Sequence, residues 1–470
     1  MPELTIQLQA DSEKCLYEQI YEYIQGEIKE GKLLQGERLP STRSLAENLQ
    51  VARSTVEMAY EQLLSEGYIE SQPYRGYFVC KMEELFQLDK DKSTEQWPQL
   101  KRSELIWGEG YLYDFSPTRI DMSVFPFSVW RRLYKKVLGD GNEALYASGD
   151  AQGDYAFRET IARYLHASRG VNCTPEQIIV GAGNDYLLML LEKILGKGLS
   201  IAMENPTYKR AYRIFSSFSY PITTVDMDES GMKVEELKKT DVQLAYEMPS
   251  HQYPTGTVMP IGRRSELLKW ANEKEDRYLI EDDYDSEFRY KGKPIPSLQA
   301  SDKNGKVIYV GTFSKSIAPA IRVSYMVLPE KLVQAYRDNC YFYSTTVSRI
   351  EQKILDEFIR GGYFERHLNK MRKFYKDKHD LLLEVLKPFE KEFEITGENA
   401  GLHLLLTSKT GRTEAELLEK AQVHGVKIYG LSDSLSDGTK DTSHTVILGY
   451  GSLTMEEIRE GVEALKQAWM

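Results

Sequence analysis

Val307-Ile308-Tyr309-Val310-Gly311-Thr312-Phe313-Ser314-Lys315-Ser316-Ile317-Ala318-Pro319-Ala320-Ile321-Arg322 is the stretch that decides what most of this chain is. A short apolar run ends at a glycine, Lys315 follows, and Arg322 stands seven residues further on. Some thirty residues upstream, Tyr278-Leu279-Ile280 runs into Glu281-Asp282-Asp283-Tyr284. Open α/β sheets bind ligands outside the carboxyl ends of their strands, so Asp282, Tyr284 and Lys315 fall where a ligand would sit. The residue types suit pyridoxal 5'-phosphate (PLP). That cofactor needs a lysine amine for its Schiff base and a carboxylate facing the pyridine nitrogen. It also needs a phenol for the ring hydroxyl, an aromatic to stack on the ring, and hydroxyls, backbone N–H groups and one arginine around the phosphate. Lys315, Asp282, Tyr284 and Arg322 cover the lysine, carboxylate, phenol and arginine; Thr312 and Ser314 flank the lysine. Gly181-Ala182-Gly183-Asn184-Asp185 lies between an apolar strand, Ile178–Val180, and a helical run, Tyr186–Leu195. It reads as a phosphate cradle in which the backbone amides of Gly183 and Asn184 serve. Tyr208 is the stacking candidate, and Arg210 and His251 are candidate effector contacts.

Outward from this site, helical segments alternate with β-rich runs from about residue 113 to 470. Gln177–Val180, Leu199–Met203, Val242–Met248, Tyr278–Glu281 and Val307–Val310 are expected strands of a largely parallel sheet. Residues 81–112 are charged and without a steady period, and read as a linker. Residues 1–80 follow a different plan. Apolar residues from Leu16 to Ile28 recur at helical spacing, and Pro40-Ser41-Thr42 opens a second helix running to Leu49. A third helix is expected from Ser54, as its N-cap, to Glu66, with Gly67 as the stop. Tyr68-Ile69-Glu70 and Gly76–Val79 alternate like two strands around Pro73-Tyr74-Arg75. Three helices and a hairpin predict a winged helix-turn-helix, with the third helix in the major groove and the hairpin against the backbone or minor groove. Arg53, Ser54 and Thr55 start that helix, Arg43 lies on the preceding one and Arg75 at the wing tip. Arginine can take guanine O6/N7 in bidentate fashion.

Composition bounds the rest. The 470 residues exceed one ordinary domain, and 41% hydrophobic content is ample for a core. No apolar run is long enough to span a membrane, and the N-terminus lacks a signal-peptide pattern. Cys15, Cys80, Cys173 and Cys340 are scattered, without metal-binding or redox spacing, as free thiols in a reducing cytoplasm would be. Asp282-Asp283-x-Asp285 has no matching histidine cluster, and no metal is expected. The net charge is −11, and the first 80 residues hold seven Lys/Arg against thirteen Asp/Glu. Phosphate neutralisation dominates DNA affinity, so DNA binding requires the few arginines to share one face.

The stretch LPSTRSLAENLQVARSTVEMAYEQLLSEGYIESQPYRGYFV resembles the GntR-family winged helix across some forty residues. The resemblance assigns DNA contacts to Arg43 and Arg53, with Ser54 and Thr55 beside them, and the wing glycine to Gly76. It departs at Glu57, where some members carry a further arginine. The remainder resembles the fold-type I aminotransferases. IEDDYDSEFRY, PSHQYPTG and GTFSKSIAPAIRVSY are most similar to the MocR/GabR regulators, GntR members that fuse these two modules in this order. The resemblance implies Lys315 as Schiff-base lysine, Asp282 at the pyridine nitrogen, Tyr284 at the ring hydroxyl and Arg322 at the phosphate. It places Tyr208 and Arg210 near cofactor and effector. Two positions depart. Many fold-type I aminotransferases hold a substrate carboxylate with an arginine where this chain has Ile447, and a neutral side chain cannot form that pair. The cradle lacks the usual Ser and Gln, with Ala182 and Asp185 instead.

The expected protein is multidomain: a winged helix-turn-helix (α+β) at 1–80, a linker at 81–112, and an α/β PLP-dependent aminotransferase-like (fold type I) domain at 113–470. The expected function is a cytoplasmic, PLP-dependent transcription regulator. It would sense an amine or amino-acid-type effector, or PLP itself, and bind double-stranded DNA with two half-sites as a homodimer. The resemblance further implies a crossed dimer, in which one chain's reader packs on the other chain's PLP domain. The alternative is a working aminotransferase carrying a DNA-binding module.

Overall fold

The computed structural model describes residues 6–9, 14–80, 110–139, 141–290, 295–398, 400–436 and 443–470. It divides into two compact units, Met1–Ile106 and Trp107–Met470.

In the N-terminal unit, α1 spans Leu16–Lys29, α2 Thr42–Leu49 and α3 Arg53–Ser65. Their spacing explains their packing. Ile20, Ile24 and Ile28 recur every fourth residue on α1, and Val56, Ala59, Tyr60 and Leu63 form the inner face of α3. These residues are buried together with Leu33, Leu39, Leu45, Ile69 and Val79. Each fully buried Ile or Val is worth about 1.5–3 kcal/mol, so this small core carries the unit despite its acidic surface. The Ser41 hydroxyl caps α2 by accepting from the Ser44 N–H at 3.1 Å. Gly67 ends α3 in the left-handed region at φ +78. The expected cap at Ser54 is displaced: Ala52 is the N-cap and Arg53 is already helical. The chain turns sharply at Gln50, in the left-handed region at φ 54, and is extended again by Ala52, so the cap falls two residues earlier. Strands β1, Ile69–Gln72, and β2, Gly76–Val79, pair antiparallel as the wing.

The C-terminal unit is built on an eight-stranded sheet. Its strands are β4 Ile178–Gly181, β5 Ile201–Asn205, β6 Ile222–Asp228, β7 Gly231–Met232, β8 Leu244–Glu247, β9 Tyr278–Asp283, β10 Val307–Thr312 and β11 Ser324–Val327, β3 being Tyr113–Asp114 outside it. The order is β4-β11-β10-β9-β8-β5-β6-β7. The ladders β10–β9, β9–β8, β8–β5 and β5–β6 are parallel, and β11 runs antiparallel to both its neighbours. Apolar residues on the two faces enter separate cores, and both faces are covered. A second, antiparallel sheet of order β12-β13-β16-β15 comprises Phe393–Thr396, His403–Ser408, Thr445–Gly449 and Tyr429–Gly430. The short β14, Val426–Lys427, pairs in parallel with β3. Residues 110–112, expected in the linker, join this unit, since the Leu112 N–H donates to the Gly425 carbonyl at 2.8 Å. The rest of the expected linker lies outside the described residues. Among the described residues, no helix is long and apolar enough to cross a membrane.

Candidate cofactor site and nucleic-acid interface

Parallel strands β8, β9 and β10 end side by side, and their carboxyl ends assemble the site. An open cavity is lined there by Asp282, Tyr284, Thr312, Ser314, Lys315 and Arg322, and by Asn184, Asp185, Tyr208 and Arg210. Residues from four separate stretches of sequence therefore meet at one place.

Asp282 is buried at the end of β9. Its Oδ1 accepts from Asn184 Nδ2 at 3.1 Å and its Oδ2 from the Tyr246 hydroxyl at 2.5 Å. Burial raises its pKa to about 7, against the pull of Tyr246. A cation brought alongside would draw it down again, which suits a carboxylate that faces a protonated ring nitrogen. Asn184 thus gives its Nδ2 to Asp282, while its buried Oδ1 has no partner among the described residues. Lys315 follows β10, its Nζ 5.1 Å from the Tyr284 ring centroid and 3.5 Å from the Pro117 carbonyl. Desolvation lowers the Lys315 pKa, with Asp285 opposing. The side chain keeps some exposure to the cavity, yet dense protein around the amine favours its neutral, nucleophilic form.

Gly183 and Arg322 meet at the edge of this cavity. Gly183 has φ +99, and a Cβ there would lie 2.2 Å from Arg322 Nη2. The absent side chain is therefore what lets the guanidinium lie across the cradle. Arg322 itself is in the left-handed region at φ 51, just after the Pro319–Ile321 turn. Thr312 Oγ1 accepts from the Ser314 N–H at 3.1 Å and from the Ser324 hydroxyl at 2.8 Å. Among the described residues the buried Ser314 hydroxyl has no partner, a donor free for an acceptor such as a phosphate oxygen. These features fit PLP. Tyr208 packs edge-on to Tyr253 at 5.9 Å, and Tyr253 edge-on to Tyr284 at 6.3 Å.

His251 is corrected as a direct effector contact. It is 2% exposed and lies behind Tyr284, with Nδ1 2.8 Å from Asp285 Oδ2 and 3.0 Å from the Tyr284 hydroxyl. It touches the cavity lining only through that tyrosine. The acidic run disperses: Asp283 is buried against Arg169 at 2.8 Å and the Tyr309 hydroxyl at 2.5 Å, and Asp285 turns to His251. Arg210 lines the cavity, paired to Asp185 at 3.2 Å. Ile447 is buried in β16 and does not reach the cavity, so its described arginines are Arg210 and Arg322 alone. Tyr246 and Tyr253, the latter inside PSHQYPTG, are further residues beside the cavity to which no local pattern assigns a role.

In the N-terminal unit, Arg53, Ser54 and Arg43 are exposed and Thr55 half-buried at the reader surface. Arg43 pairs with Glu47 at 3.0 Å and Arg53 with Glu57 at 2.7 Å, one helical turn on. Exposed pairs of this kind are worth about 0.3–0.5 kcal/mol, less than a bidentate guanine contact at about 1–3 kcal/mol, so DNA can displace them. The Arg75 guanidinium lies 5.6 Å over the Phe78 ring. Arg38 is a further candidate: its Nε lies 3.4 Å from where a Gly76 Cβ would be, which puts a cation against the wing. Only tertiary packing brings it there.

The fold and site together define a DNA-binding regulator that carries a PLP-binding, aminotransferase-like domain. Residues 16–79 match bacterial regulatory proteins of the gntR family, and 122–436 match aminotransferase class I and II. The HTH-type transcriptional regulator YdeL of Bacillus subtilis (strain 168) is 42% identical over 97% of this chain and 96% of its own. The probable rhizopine catabolism regulatory protein MocR of Rhizobium meliloti is 32% identical, over 98% of this chain and 95% of its own. Pyrococcus horikoshii kynurenine aminotransferase superposes with a TM-score of 0.69 at 25% identity, covering 83% of this chain and 100% of that one. The chain belongs to the MocR/GabR subfamily of GntR transcriptional regulators.

Proposed function

We propose that this regulator changes its DNA affinity when a small amine or amino-acid-type effector, or PLP itself, occupies the cavity at the carboxyl ends of β8–β10. One observation carries the reading: Lys315, with its pKa lowered, and Asp282 share one cavity in a chain that begins with a winged helix. Bound PLP supplies an aldehyde that an amine can capture and a ring that draws electrons. Lys315 would hold it, Asp282 would keep the proton on the ring nitrogen, Tyr284 would set the ring hydroxyl, and Arg322 with Ser314 and the Gly183 and Asn184 amides would anchor the phosphate. Tyr208 would cover the ring and Arg210 would face the effector.

The DNA partner is read as two half-sites bound by a homodimer. The exposed run Tyr341-Phe342-Tyr343 supports this, being apolar surface suited to a second copy. Two readers on one duplex raise the effective concentration of each, which offsets the acidic N-terminal unit. A DNA-binding domain at 1–80, a linker that ends before residue 110, an effector domain that runs from there to 470, the crossed dimer and a cytoplasmic location belong to this proposal. An aminotransferase reading is favoured by the intact lysine and aspartate and opposed by Ile447. The test is a visible absorption titration with PLP and then amines, alongside a DNA mobility shift. A Lys315-dependent band whose change with an amine tracks DNA affinity is the expected result. Sustained amino-group transfer to a keto acid, without an effect on DNA binding, selects the enzyme instead.

A further inference from the structure

A phosphate cradle at a helix N-terminus ordinarily presents donors and positive charge alone. This one contains a carboxylate. Asp185 is the second residue of the helix Asn184–Leu195, and its Oδ2 lies 3.2 Å from Arg210 Nη1 and 3.5 Å from Arg322 Nη2. It stands in the first turn of the helix and pairs with the arginine that a phosphate would use. We propose that Asp185 is an internal competitor for the cradle, holding affinity for phosphorylated ligands down so that occupancy follows their supply.

The proposal rests on the cofactor reading above and adds a determinant of affinity to it. A phosphate monoester carries about −1.5 to −2 charge at pH 7. To enter, it must take Arg322 from Asp185 and then sit beside a like charge. The three side chains are 37%, 61% and 48% exposed for Asp185, Arg210 and Arg322, so water screens the repulsion. A penalty of about tenfold in affinity is therefore the appropriate scale, well below what a dry site would impose. Arg210 gives the carboxylate somewhere to go, since it already makes the shorter contact. Filling the cradle then leaves Asp185 to Arg210 alone, and Arg210 meets the effector partly neutralised. With Ile447 at the position of the carboxylate anchor, this favours amines over ligands that must be held by a carboxylate.

The experiment compares wild type with Asp185→Asn, which keeps the shape and removes the charge. PLP and pyridoxal are titrated by visible absorption, and inorganic phosphate by its competition with PLP and its protection against thermal unfolding. Asp185→Asn is expected to bind PLP and phosphate about tenfold more tightly and pyridoxal within about twofold of wild type. Arg210→Gln is expected to weaken PLP binding in the wild-type background and to leave it unchanged beside Asp185→Asn, a coupling a double-mutant cycle reads directly. Unchanged or weaker PLP and phosphate binding in Asp185→Asn would overturn the proposal and make Asp185 a positioning residue for Arg322. A parallel shift in all three ligands would overturn it too, by placing the effect in the cavity as a whole. If no Lys315-dependent band forms, the cofactor reading fails, while phosphate protection still measures the competition.

Discussion

Gly183→Ala is the substitution whose consequence follows most directly from the geometry. At φ +99 and ψ 163 the backbone is in a region that side chains rarely adopt, a strain of about 1–3 kcal/mol. The new Cβ would also lie 2.2 Å from Arg322 Nη2 and 2.8 Å from its Cζ, so the guanidinium must leave the cradle. A hydrogen bond to a charged group is worth about 1.5–3 kcal/mol, equivalent to about 10–150-fold in affinity. The variant is therefore expected to bind PLP one to two orders of magnitude more weakly, with a modest fall in Tm from the backbone strain. Pyridoxal has no phosphate to lose, and its affinity should stay within about threefold of wild type. Parallel absorption titrations with the two ligands separate these effects. PLP affinity within twofold of wild type would refute the role given to Gly183 and Arg322.

Further expectations concern the other parts of the chain. Lys315→Ala should lose the visible band while keeping some DNA affinity in a mobility shift, and Arg53→Ala should lose about 1–3 kcal/mol of DNA binding while keeping the band. Loss of both properties in either variant would contradict the separate roles of the two units. Glu57→Gln releases Arg53 from its 2.7 Å ion pair and removes a like charge from the DNA face, so DNA affinity should rise severalfold at low salt and less at high salt. Glu204 and Glu247 end neighbouring strands fully buried, with both pKa values raised by burial, that of Glu204 to about 7. The folded state therefore binds protons that the unfolded state has released. The stability this gives is full below about pH 4 and falls as pH rises towards 7 and beyond. Glu204→Gln should flatten the fall of Tm between about pH 5 and 7, the interval set by the ordinary and raised values of Glu204; a slope equal to wild type would count against it.

The site was legible where its chemistry is local in sequence. Lys315, Arg322 and the Asp282–Tyr284 pair lie at strand ends that apolar runs announce, and the structure brings them into one cavity. Tyr246 and Tyr253 were not legible, because their roles come from adjacency: β8 lies beside β9, which puts the Tyr246 hydroxyl on Asp282. Arg38 reaches the wing in the same way. Asp185 stood out as an oddity in the cradle, yet its bridge between Arg210 and Arg322 depends on three segments meeting. Ser54 was misjudged as a cap because alanine is a poor N-cap by preference, and the tight turn at Gln50 overrode that preference. Strand starts shifted by a residue or two, as in β5, expected from Leu199 and observed from Ile201.

On the proposed function, occupancy of the cavity and binding of DNA are coupled. Coupling between two ligands is reciprocal, so each must change the other's affinity by one factor. The most direct measurement is a PLP absorption titration with and without a duplex selected from genomic fragments by the wild-type protein, paired with DNA anisotropy with and without PLP. The account predicts equal factors in the two directions for wild type and no effect of PLP on DNA affinity in Lys315→Ala. A wild-type DNA affinity identical in the presence and absence of PLP and of every amine tried would contradict it.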